Sequence, residues 1–131
     1  MNAVRHADLP ARPSKVTIAI AVLVAAMGVQ HLVQAIMAIR GGGDPQLLIL
    51  EHLGVTIFAL VAAYAMWRGK RWAPWALAVA GAGVAVLIIS LGPLLNMDSV
   101  ERSGLWVGAG SVAAFTALGV WYLSRTVGRG A

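Results

Sequence analysis

Cysteine is missing from all 131 positions of the chain. Its absence excludes disulfide frameworks, thiolate metal sites, iron–sulfur clusters and thiol catalysis. Charge is scarce too: Asp, Glu, Lys and Arg make up 11% of the residues, against about 25% in soluble domains. Acidic side chains are the scarcest, five against ten basic ones. A chain this short cannot cover a water-facing surface with so few charges. Ala, Val, Leu and Gly fill the space instead, giving 60% hydrophobic residues and a mean hydropathy of +0.80. These values describe an integral membrane protein of one domain. The net charge of +5 does not indicate nucleic acid as a partner. The basic residues flank apolar runs rather than forming one patch, as they do in membrane proteins.

Four apolar runs predict four helices. Residues 1–15 form a polar tail, and the first helix is expected over 16–39. Its 24 residues would rise about 36 Å, enough to cross a hydrocarbon core of about 30 Å with some tilt. The basic leader before it resembles a signal peptide. The apolar run, however, outlasts the roughly 7–15 residues of a signal h-region and continues to Arg40. Gly41-Gly42-Gly43 breaks the helix, Asp44 fits an N-cap and Pro45 a first helical position. The second helix is expected over 45–68, with Gly69 just past its end. The third is expected over 72–95, kinked or ended by Gly92-Pro93, and the fourth over 104–124. Between the last two lies a polar stretch, Asn96 to Ser103, in which Asp98 and Glu101 have capping-box spacing. Residues 125–131 form a basic tail, and no internal repeat indicates an inverted-repeat transporter.

Orientation follows from the distribution of Lys and Arg. Arg5, Arg12, Lys15, Arg68, Lys70, Arg71, Arg125 and Arg129 fall on one side, and Arg40 and Arg102 on the other. The positive-inside rule therefore places both termini in the cytoplasm. Trp67, Trp72, Trp75, Trp121 and Tyr122 would form an aromatic belt at the inner interface, with Trp106 near the outer one. The expected architecture is all-α: an up-down bundle of four transmembrane helices in a bacterial-type inner membrane, with the lipid bilayer as its solvent. Small residues four apart (Ala76 and Ala80, Gly81 and Ala85, Gly104 and Gly108, Gly110 and Ala114) suit close helix packing within the bundle, or a face for a homo-oligomer or membrane partner.

Candidate chemistry is confined to one layer. Gln30, His31 and Gln34 lie in the first helix, and Glu51 and His52 near the start of the second. On a helix, Met27, His31, Gln34 and Ala38 share one face. Glu51 shares a face with Val55 and Phe58, while His52 and Thr56 form another stripe. His31 would sit about 13 Å inside the outer end, and Glu51 and His52 about 9–11 Å. A carboxylate at such depth costs a few kcal/mol, so ionisable groups there default to function.

Glu51 could accept a hydrogen bond from His31, with Gln30, Gln34 and His52 lining a polar pocket around them. As acid and base, Glu51 and His31 would suit a lipid-soluble substrate such as a quinone, sterol or isoprenoid. The structural alternative is that these residues only hold helices together. A metal site is disfavoured because adjacent Glu51 and His52 diverge on a helix and no HExxH or ExxH spacing is present. Haem between His31 and His52 is disfavoured by the 8–10 Å or so between packed helices.

The order of features has a family likeness. The stretch Leu50-Glu51-His52-Leu53-Gly54-Val55, then Ala62-Ala63-Tyr64-Ala65, then the turn Arg68-Gly69-Lys70-Arg71-Trp72-Ala73 resembles the DoxX-like group of small bacterial membrane proteins. The likeness covers roughly residues 16–95. It implies a quinone-linked or accessory role, because that group includes subunits associated with quinol oxidase or thiosulfate:quinone oxidoreductase systems. It assigns no catalytic residue here, and the polar stretch from Asn96 to Ser103 has no counterpart in the likeness.

Overall fold

Each apolar run forms a single helix. The computed structural model describes residues 12–126, with α1 at Lys15–Gly41, α2 at Gln46–Trp67, α3 at Ala73–Leu94 and α4 at Ser99–Thr126. All four are long and apolar enough to cross a membrane. The tails expected over 1–15 and 125–131 lie outside the described residues as far as residue 11 and from residue 127, as do Arg5 and Arg129.

Local chemistry sets the helix ends. Ser14 caps α1, its hydroxyl accepting from the Thr17 N–H at 3.1 Å. At the end of α2, Gly69 takes a φ of 63°. Its N–H then donates to the Met66 carbonyl at 3.1 Å and that of Lys70 to Ala65 at 2.8 Å, a paired closure that a left-handed residue permits. Asn96 plays the same part after α3, with φ of 52°, and the Met97 N–H donates to the Gly92 carbonyl at 3.0 Å. Pro93 therefore sits in the last turn of α3, and the helix ends at Leu94.

The expected ends shift by one or two residues, and the start of α4 by five; two of these shifts have a visible local cause. Pro45 occupies the N-cap of α2 in an extended conformation, with φ −57° and ψ 137°. The helix starts one residue later than expected, and Asp44 is left outside the capping position. The second shift is larger. Asp98 and Glu101 do form a capping box: the Glu101 N–H donates to Asp98 Oδ1 at 2.8 Å and the Asp98 N–H to Glu101 Oε2 at 3.2 Å. The box starts α4 at Ser99, five residues before the expected Gly104. The polar stretch is thus mostly the first turn of a helix, because the cap outweighs the low hydropathy of that turn.

Adjacent helices pack as antiparallel neighbours, α1 on α2, α2 on α3 and α3 on α4. Buried positions recur at steps of three, four or their sum of seven: Ala21, Val24, Gly28, Ala35 and Ala38 in α1, and Leu48, His52, Val55, Ala59, Ala62 and Met66 in α2. That spacing keeps one seam facing one partner. Small side chains let the backbones approach. A Cβ on Gly28 would lie 3.2 Å from that of Ala59, and one on Gly81 would collide with the Thr116 side chain of α4. Gly104 and Gly110 face open space instead.

The fourth seam stays open. α1 and α4 do not pack closely, and only Ala109 and Leu123 of α4 are buried. A hydrogen bond of 2.8 Å between the Ser14 and Tyr122 hydroxyls ties α1 to α4 at the end carrying the termini. Trp67, Trp72, Trp75 and Trp121 lie exposed at that same end, with the Arg125 guanidinium 4.7 Å over the Trp121 ring.

Candidate functional site

The three-four seam between α1 and α2 has one polar rung. Counting from Val24 and Gly28, the next inward position of α1 is His31, followed by Ala35. On α2 the matching position is His52, between Leu48 and Val55. The two imidazoles meet there, Nδ1 to Nδ1 at 2.9 Å, with ring centroids 5.1 Å apart and planes tilted by 34°. His52 is buried, and His31 is half-buried. Behind them the Thr56 hydroxyl donates to the His52 carbonyl at 2.9 Å, which satisfies that buried hydroxyl within its own helix.

The geometry fixes the hydrogen-bonding character of the pair. A neutral imidazole carries one N–H and one bare nitrogen. If one Nδ1 donates and the other accepts, the donor ring presents a bare Nε2 and the acceptor ring an Nε2–H. Neither Nε2 has a protein partner among the described residues, and neither is sealed off. The one side-chain polar atom there that is both buried and unpartnered is Glu51 Oε2. The pair therefore offers one acceptor and one donor. Exchanging their roles takes two proton movements: the shared proton crosses from one Nδ1 to the other, and the receiving ring gives up its Nε2 proton as the first ring takes one up at its bare Nε2.

Both rings line an open pocket of about 570 Å3, together with Gln34, Met37, Asp44 and Leu91 among others. Its size falls within the roughly 300–1,000 Å3 usual for small-molecule sites. Asp44 enters the site in place of capping α2, and no sequence signal set it apart from a helix cap. Gln34, on the His31 face, is at the pocket as expected. Gln30 is exposed and lines none of this pocket.

The expected Glu51–His31 hydrogen bond does not form, because His52 takes that place. Adjacent residues on a helix point about 100° apart. With His52 turned to α1, Glu51 is carried away and its Oε2 is left without a donor. Among the described residues, no group of three His, Asp or Glu side chains is placed to hold a metal ion. Imidazoles in direct contact also leave no space for a porphyrin between them.

Comparison with protein-family models, with curated proteins and with solved structures finds no match to this chain. The DoxX-like resemblance rests on the residues quoted for it.

Proposed function

We propose that the chain is a small multi-pass protein of a bacterial-type inner membrane, with both termini cytoplasmic, acting as an accessory or quinone-associated subunit. In this reading the pocket at His31 and His52 holds the head of a lipid-soluble molecule. The observation that carries it is the paired imidazoles on the wall of an open pocket between helices long and apolar enough to cross a membrane. A quinone carbonyl can accept from the Nε2–H, and a quinol hydroxyl can donate to the bare Nε2, so one pair serves both forms. The orientation is supported by Arg12, Lys15, Arg68, Lys70, Arg71 and Arg125 at the end carrying the termini, against Arg40 and Arg102 at the other.

Native mass spectrometry of protein extracted in a mild detergent tests the reading. Wild type is expected to carry a stoichiometric extra mass matching an isoprenoid quinone. His31→Ala and His52→Ala are expected to lose it while keeping their helical circular dichroism. A bare wild-type chain, or a mass retained in both variants, contradicts the proposal.

One observation favours a second reading. The His31–His52 bond ties α1 to α2 and would serve as adhesion alone. In that case the variants melt earlier and wild type carries no ligand.

A further inference from the structure

The pocket at the histidines is not the only hollow on this side of the bundle. A second, of about 520 Å3, lies in the open seam between α1 and α4. Leu23 and Met27 of α1, Leu77 and Val84 of α3, and Phe115 and Leu118 of α4 help line it. Among the described residues, its polar side chains are Thr116 and Tyr122. The two hollows use successive turns of the same helix faces. On α1 the lining runs through Val16, Ile20 and Met27 in one hollow, then His31 and Gln34 in the other. On α3 it runs through Leu77 and Val84, then Leu87 and Leu91. The junction is Met27, packed against the buried cluster of Val55, Val84 and Leu87. Its unbranched thioether side chain adapts readily to what lies beside it.

We propose that the two hollows are one site for an amphiphile with a small hydrogen-bonding head and a single long apolar tail. The inference rests on the proposed function and adds the tail's path. The head lies at His31 and His52. The tail passes Met27 and runs between α1 and α4 toward the Ser14–Tyr122 hydrogen bond, which closes the far end. From His31 to Val16 the groove is about 22 Å long. Its apolar part, from Val16 to Met27, is about 16 Å long, and a helix about 10 Å across and of that length would fill roughly 1,300 Å3, more than twice the apolar hollow, so a thin chain fits where a partner's helix does not. Polarity sets the direction, since His31, Gln34, Asp44 and His52 all stand at one end.

Photo-crosslinking in lipid nanodiscs tests this path. Two benzoquinone probes with four isoprene units are used, one bearing a diazirine beside the ring and one at the tail end. The first is expected to label the segments around His31 and His52. The second is expected to label the groove-lining residues Val16, Ile20, Leu23 or Met27 of α1, or Val112, Phe115 or Leu118 of α4. Leu23→Trp, at a position 71% exposed and so tolerant of bulk, is expected to lose most of the tail-end label. Tail-end label spread over outward residues such as Val22, Val29, Ile57 and Val79 overturns the groove while leaving the head site standing. Crosslinking of one chain to a second overturns it as well. Failure of the ring-proximal probe to label near the histidines contradicts the head site itself.

Discussion

At the residue scale, His31 and His52 sit where the packing pattern of α1 and α2 calls for apolar side chains. Each would be an unsatisfied polar group in that seam without the other. A double-mutant cycle with His31→Ala and His52→Ala is expected to give a coupling between about 0.6 and 1.7 kcal/mol, the mean and the maximum for polar pairs between membrane helices. A coupling of zero would mean that the rings do not meet. Glu51 is the opposite case. Its buried Oε2 has no donor among the described residues, and an unsatisfied buried polar atom costs about 1–3 kcal/mol. Glu51→Leu is therefore expected to raise the unfolding midpoint in detergent, by the equivalent of about 1 kcal/mol. A lowered midpoint would show that Glu51 has a partner. The layer that holds the site was legible because ionisable residues are so rare in these runs. The partner within it was not. Sequence spacing shows that Glu51 and His52 diverge, but not which of them turns toward α1. That is decided by the seam from Leu48 to Met66, where His52 falls on the three-four series and Glu51 does not.

At the scale of elements, glycines of the same sequence pattern divide by what they touch. Gly81→Ala sets a methyl group against Thr116 and is expected to cost about 1–3 kcal/mol, as overpacking does. Gly104→Ala meets nothing and is expected to be neutral or to gain up to about 1 kcal/mol from helix propensity. Thermal unfolding of the two variants side by side checks the contrast, and equal effects would contradict the α3–α4 contact. Four-residue spacing of small residues occurs in both places, so sequence alone could not separate them. The start of α4 was legible in part. Asp98 and Glu101 announced a cap, yet the polarity of the following turn argued for a loop. Asp98→Ala is expected to remove about 1 kcal/mol of capping and to speed hydrogen exchange at the Glu101 amide. Unchanged exchange there would place the helix start elsewhere.

At the scale of the whole molecule, hydropathy and short loops made four antiparallel helices legible, with ends within about two residues for the first three. The open seam was not legible. Closure of a bundle depends on whether its first and last helices find each other, and neither α1 nor α4 carries a residue that states it. The missing cysteines make topology easy to test. Single cysteines at Lys70 and Thr126 are expected to be labelled from the cytoplasmic side, and one at Gly43 from the opposite side. Labelling of all three from one side would contradict a spanning bundle.

The most direct test of the central claim concerns the ring nitrogens themselves. Nitrogen-15 NMR of histidine-labelled protein in lipid bilayers, with His6→Gln to remove the third histidine, reads each one separately. One protonated and one bare Nδ1 sharing a hydrogen bond are predicted, with both Nε2 signals moving when a benzoquinone probe is added. Two independent imidazoles with no shared proton, and no response to the probe, would contradict the account.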